Sequence, residues 1–142
     1  MYLNEVKGNV FSSNTSLAHC ISGDFRMSRG IAREFRARFG RIEELRETGA
    51  TTGDVAVLRV GSIFVYNLIT KAHYWQKPTY GTLRRSLEEM KEHAAMNHVT
   101  KISMPRIGCG LDRLMWSKVK ALIKEVFQGL RIEITVYKCN DI

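Results

Sequence analysis

Two positions in this chain combine chemistry-bearing residues with a local pattern suited to using them. The first is the stretch SMPRIGCGLDRLMW, residues 103–116. A short apolar run precedes it and an amphipathic run follows, so it reads as strand, glycine loop and helix. Gly108 and Gly110 allow positive φ values and close approach of the backbone to a ligand. Successive N–H groups in such a loop, beside a helix N-terminus, form a pocket for phosphate oxygens. Asp112 stands where the loop closes, a poor place for a carboxylate facing only phosphate. A sugar hydroxyl, a water or a cation suits it better. Taken alone, the loop reads equally as a plain strand-to-helix turn. The second position is Lys71, at the end of an apolar run; taken alone it reads as an exposed charge at a strand end.

The elements that must position these residues alternate in kind. Residues 2–10 read as a short strand ending at Gly8, and 17–22 as a buried strand running into a Gly23-Asp24 loop. Ile31, Phe35 and Phe39 recur at helical spacing with Gly40 as the stop, and Ile42 and Leu45 continue a shorter helical piece. Residues 55–60 and 63–70 are apolar runs parted by Gly61-Ser62, the spacing of a β-hairpin. Thr79 is the expected N-cap of a helix whose stripe is Leu83, Leu87, Met90 and Ala94. That stripe reads as core. A strand over 99–104 leads into the glycine loop, a helix runs through Trp116, Val119, Ile123 and Phe127 to Gly129, and 130–137 closes the chain as a strand. Strands alternating with helices around one hairpin predict a mixed sheet covered on both faces. Ligands in such sheets sit beyond the carboxyl ends of strands. Segments 22–30, 71–77 and 105–112 are expected to converge there.

Composition limits the alternatives. The 142 residues suit one domain, large enough to bury roughly 68–70% of the surface its unfolded form exposes. No run approaches the ~18 apolar residues of a membrane span, and the N-terminus has no apolar stretch of the signal-peptide kind. Cys20, Cys109 and Cys139 are scattered, which reads as reduced thiols in an intracellular protein, and the four histidines add no metal-ligand spacing. The net charge is +8, with six arginines from Arg26 to Arg41. That surface is either a solvated helix face or a field for nucleotides, polyanionic chains or nucleic acid.

The wording of several stretches resembles the macrodomain family, and within it the branch of terminal ADP-ribose protein glycohydrolases. KGNVF at 7–11 is similar to the opening motif. SLAHCIS at 16–22, Arg26-Met27 and Gly30-Ile31-Ala32 resemble the first ligand loop. YNLITK at 66–71, KPTY at 77–80, SMPRIGCGLDRL at 103–114 and EITVY at 133–137 resemble the branch itself. The resemblance covers nearly the whole chain. It implies one macrodomain over 1–142, a three-layer α/β/α fold around a mixed, mostly six-stranded sheet.

The implied activity is hydrolysis of the bond between ADP-ribose and acidic protein residues, with deacetylation of O-acetyl-ADP-ribose as a further activity. The family's lysine nucleophile falls on Lys71 and its partner carboxylate on Asp112. Pro105, Arg106, Ile107, Gly108, Cys109, Gly110 and Leu111 fall in the phosphate and distal-ribose loop. Ser22, Ser28, Arg29, Gly30 and Ile31 fall in the first ligand loop, Asn9 and Val10 where adenine is read, and Cys139 beside the adenine end. An open-chain ribose offers an aldehyde carbon, which a neutral lysine amine attacks to give a Schiff base. Asp112 then accepts a proton and activates water. No metal and no cofactor are required.

Two departures from the family pattern stand out. Asn9 replaces the usual aspartate, so any bond it accepts from adenine lacks charge assistance. Ser28-Arg29-Gly30 replaces Gly-Ala-Gly, placing a large cation that either holds the pyrophosphate or faces solvent. Three other functions compete with the protein-directed hydrolase: a non-catalytic ADP-ribose reader, which has little need of both Lys71 and Asp112, a nucleic-acid-binding module, for which no motif is present, and, as the resemblance implies, a hydrolase acting on ADP-ribosylated nucleic acid. The expected partners are ADP-ribose and ADP-ribosylated proteins, with nucleic acid or poly-ADP-ribose against the basic surface. A monomer with no membrane contact, nuclear or cytoplasmic, completes the expectation.

Overall fold

The structure, a computed structural model, describes residues 1–139. Its strands are β1 (Tyr2–Lys7), β2 (Ser16–Ser22), β3 (Val55–Val60), β4 (Ile63–Lys71), β5 (Lys101–Pro105) and β6 (Glu133–Lys138). Its helices are α1 (Gly30–Phe39), α2 (Ile42–Glu47), α3 (Tyr80–Met96) and α4 (Trp116–Phe127), with a single 3-10 turn at Val10–Ser12. The strands form one sheet in the order β1-β6-β5-β2-β4-β3. Every neighbouring pair is parallel except β3 and β4, which form the hairpin expected at Gly61-Ser62, with Val60 opposite Ile63.

Alternation along the strands builds both faces of the sheet. On β2, Ala18 and Cys20 face α3 and α4, while Leu17 and Ile21 face α1 and α2. On β4, Tyr66 and Leu68 join the first core and Val65 and Ile69 the second. The helical stripes answer them: Leu83, Leu87, Met90 and Ala94 of α3 with Val119, Ile123 and Phe127 of α4 on one side, Phe35 and Leu45 on the other. The architecture is therefore three layers, helices over each face of the sheet.

Several boundaries differ from the sequence reading; β5, expected over 99–104, runs from Lys101 to Pro105, because the Val99 N–H closes back on the Ala94 carbonyl at the end of α3. β1 stops at Lys7, because Gly8 takes φ +141° and Asn9 caps the 3-10 turn that buries Val10. β6 starts at Glu133: Gly129 takes φ +88° and the Leu130 N–H closes back on the Phe127 carbonyl, so these residues finish α4.

One buried polar pair ties β2 to β4. His19 stacks on Phe35 with ring centroids 3.7 Å apart, and its Nε2 meets Asn67 Oδ1 at 2.5 Å. Burial pushes the His19 pKa down to about 3, so the folded protein holds it neutral. An unfolded histidine protonates near pH ~6.5, so below that pH the unfolded state carries the extra proton and stability falls as pH drops. Denaturant titrations from pH 7 to 4 should show a loss of up to about 1.4 kcal/mol per pH unit from this group, and His19→Gln should flatten that slope by one proton.

Candidate active site

The parallel strands all deliver their carboxyl ends to the same edge of the sheet. In spatial order these are Lys7, Lys138, Pro105, Ser22 and Lys71. Asn9 and Cys139 follow the first two, so they share one end of the edge with Lys71 at the other. Four strand intervals at about 4.8 Å separate β1 from β4, a span of about 19 Å. The edge is long and narrow.

At the β4 end, Lys71 Nζ lies 2.6 Å from Asp112 Oδ1, with the two side chains 14% and 16% exposed. This answers the question left by the glycine loop: Asp112 faces a cation. The lysine ends β4, a strand paired on both sides, whose register with β2 shifts between Ile21 and Ser22, bringing Ser22 opposite Lys71. The Gly23 N–H then donates to the Lys71 carbonyl at 2.8 Å. A Cβ at Gly23 would stand 3.2 Å from the Ala72 carbonyl oxygen, so the close approach needs glycine.

Three loops interlock pairwise around the pair. The first follows β2. Its Asp24 accepts from Ser22 Oγ at 2.6 Å, from the Arg26 N–H at 3.1 Å and from the Tyr74 N–H at 2.7 Å, so it binds the β2 loop to the β4 loop. Burial pushes the Asp24 carboxyl up, but those three bonds outweigh it and hold the group below the usual carboxylate range. The Arg26 guanidinium adds a second link, 4.0 Å over the Tyr74 ring. The β4 loop reaches the glycine loop through Lys77, whose Nζ donates to the Leu111 carbonyl at 2.9 Å. The glycine loop returns to the first, with Leu111 Cδ1 lying 3.6 Å from where a Gly30 Cβ would stand.

The glycine loop is held open by its own bonds. Gly108 takes φ +73° and its carbonyl accepts from the Leu114 N–H at 2.7 Å; a Cβ there would meet Leu114 Cδ1 at 2.9 Å. Pro105 ends β5 and Ile107 is buried in the core, leaving Gly110 and Leu111 exposed at the rim. Cys109 turns its thiol to the Ile107 carbonyl. Burial pushes the Cys109 and Cys20 thiols up, so both keep their protons at neutral pH. The Arg106 side chain points away from the loop, 3.5 Å from Glu5 and 5.4 Å over the Trp116 ring. On the facing side, α1 begins at Gly30 with φ +57° and no side-chain cap from Arg29. The N–H groups of Gly30, Ile31 and Ala32 have no carbonyl partner within the helix and begin next to Leu111, which is the arrangement that receives an anion. Ile31 is half-buried in that turn, while Ser28 and Arg29 are exposed.

At the far end, the Asn9 oxygen accepts from the Phe11 N–H at 2.9 Å, capping the turn that buries Val10. Gly8 N–H donates to the Lys138 carbonyl, which places Asn9 beside exposed Cys139. The structure thus gathers the expected residues on one edge, with Lys71 and Asp112 in contact and Asn9 and Cys139 apart from them. Asp24 and Tyr74 were not singled out from the sequence, and Lys77 entered only as the first residue of the KPTY stretch. The Gly-Asp after an apolar strand was a readable turn signal, but nothing local pointed to the partners of Tyr74 and Lys77. Among the described residues, no group of three or more His, Cys, Asp or Glu side chains could hold a metal ion, and no helix is long and apolar enough to cross a membrane.

A six-stranded mixed sheet between helical layers, with three loops meeting at its carboxyl edge, matches the architecture of the macrodomain fold. Residues 12–123 match the Macro domain family, and the chain belongs to it. It is 52% identical over 134 residues to the human ADP-ribose glycohydrolase OARD1, covering 93% of this chain and 88% of that protein. In fold it is similar to the macrodomain of Thermus aquaticus DarG, with a TM-score of 0.86 at 23% identity over 95% of this chain and 97% of that one. Thermosipho africanus DarTG in complex with ADP-ribose gives 0.86 at 19% identity, over 96% of this chain and 41% of that one.

Proposed function

We propose that this chain is an ADP-ribose glycohydrolase that releases ADP-ribose from glutamate and aspartate side chains through a covalent Lys71 adduct. The observation that carries the reading is the 2.6 Å contact between Lys71 and Asp112 at the mouth of the site, in a chain half identical to a glycohydrolase. The adenine end lies toward Asn9, Val10 and Cys139, and the pyrophosphate between the glycine loop and the first turn of α1. The distal ribose then falls at Lys71.

The steps follow from that placement. Lys71 gives up its proton to solvent, and the amine nitrogen attacks C1″ of the distal ribose. The C1″–O bond breaks and its electron pair leaves with the substrate carboxylate. The N-linked sugar opens to a Schiff base with Lys71. Asp112 next removes a proton from water, which adds to C1″. The C–N bond breaks, Lys71 recovers its amine and ADP-ribose departs. O-acetyl-ADP-ribose enters the same site as a small ester. Incubation with glutamate-linked mono-ADP-ribosylated protein tests the reading: free ADP-ribose should appear with turnover. Binding of ADP-ribose without release would leave the chain a reader.

The adenine end gives a separate prediction. The Asn9 oxygen is already engaged with Phe11, and its amide nitrogen cannot accept. An aspartate has two oxygens, one to keep the cap and one for the adenine amino group, and it is an equally good N-cap. A hydrogen bond to a charged acceptor exceeds a neutral one by about 1 kcal/mol, so Asn9→Asp should bind ADP-ribose about five-fold more tightly by calorimetry. Unchanged or weaker binding would remove Asn9 from adenine recognition.

A further inference from the structure

We propose that the exposed apolar rim around Lys71 and Asp112 docks the polypeptide that carries the ADP-ribose, and that it takes acidic segments. This rests on the hydrolase reading of the pair. Among the described residues, seven large apolar side chains are exposed, and four of them lie within four residues of Lys71 or Asp112. These are Tyr74 and Trp75, 44% and 67% exposed, and Leu111 and Met115, 59% and 57% exposed. Apolar surface gathered at one mouth marks a contact site; the same residues scattered singly would not.

The backbone under the rim is fixed while its side chains stay open. Segment 71–77 begins at the pair and returns to it, because Lys71 contacts Asp112 and Lys77 holds the Leu111 carbonyl. Asp24 fastens the Tyr74 N–H within that segment, and the Tyr80 hydroxyl accepts from the Met115 N–H at 3.0 Å. A surface ordered before binding loses less freedom when a partner arrives.

Charge and shape select the partner. The three interlocked loops contain two carboxylates, Asp24 and Asp112, both engaged in short bonds. Arg26, Lys77 and Arg113 leave the rim positive, which favours an acidic segment. Nucleic acid would also meet that charge, but base stacking needs open ring faces. Here Arg26 covers one face of Tyr74 and His73 lies parallel to Trp75 with centroids 5.6 Å apart, so at most one face of each ring is left for a base. Leu111 and Met115 opposite are aliphatic and suit polypeptide side chains.

The test compares carriers in the Lys71→Ala background, where the substrate is not consumed. Affinities are measured for free ADP-ribose, an acidic peptide carrying ADP-ribose on glutamate, the same peptide with neutral flanks, and a single-stranded oligonucleotide carrying ADP-ribose. The acidic peptide should bind about ten-fold more tightly than free ADP-ribose, and the neutral one less so. Trp75→Ala/Met115→Ala should erase the peptide's advantage and leave the affinity for free ADP-ribose as it was. The proposal fails if the peptide has no advantage in the parent, if the double variant keeps it, if free ADP-ribose weakens in step, or if the oligonucleotide gains more than the peptide. Loss of the hydrolase reading looks different: the wild-type protein would release no ADP-ribose while the peptide's advantage remained.

Discussion

Lys71→Ala is expected to release ADP-ribose from glutamate-linked substrate at least about 10³-fold more slowly than the wild type, a loss of roughly 4 kcal/mol of transition-state stabilisation. Binding of ADP-ribose should stay within a few-fold, because the proposed pose leaves the contacts to the pyrophosphate with the glycine loop and the first turn of α1. Removing the lysine also leaves Asp112, only 16% exposed, without its cation. Lys71→Arg separates that effect from chemistry. A guanidinium restores the positive partner but remains protonated and forms no Schiff base. Both variants should therefore be inactive while the arginine variant recovers the melting temperature. Near-normal turnover by either would return Lys71 to a structural role.

Asp112→Ala is expected to stop the reaction after attack. The residue that activates water is gone, so a protein carrying one ADP-ribose should accumulate. Intact mass spectrometry after reductive trapping should detect it, and digestion should place it on Lys71. An inactive variant with no adduct would move Asp112 to an earlier step, the deprotonation of Lys71 or the opening of the ribose. The two variants together divide the mechanism: one blocks formation of the bond and the other its hydrolysis.

Much of the scaffold was legible because local physics decided it. The Ile31, Phe35 and Phe39 spacing found α1. Thr79 does cap α3, in a reciprocal box with Thr82. Gly61-Ser62 marked the one antiparallel turn. The errors fell at ends such as Leu130, where strand-like residues were taken up by a helix-closing turn. Strand order was not legible, since it depends on which apolar faces cover one another. Lys71 and Asp112 were placed by the wording of their motifs, whereas the means of holding them was not. Tyr74 meets Asp24 across 50 residues of sequence and Lys77 meets Leu111 across 34, and no periodicity encodes such distances.

Asp24 carries a consequence for how this protein can change. Two of the three groups it binds are main-chain N–H groups, of Arg26 and Tyr74, which every residue except proline possesses. The Asp24 latch is therefore indifferent to the side chains at those two positions, although exchanging either one removes the stacking of Arg26 on Tyr74. Arg26 and Tyr74 can be exchanged, singly or as a library, while the lysine behind them stays in register. What the enzyme accepts and how it cuts are thus separately adjustable. A redesign of substrate preference should begin at positions 26 and 74 and leave 24 alone.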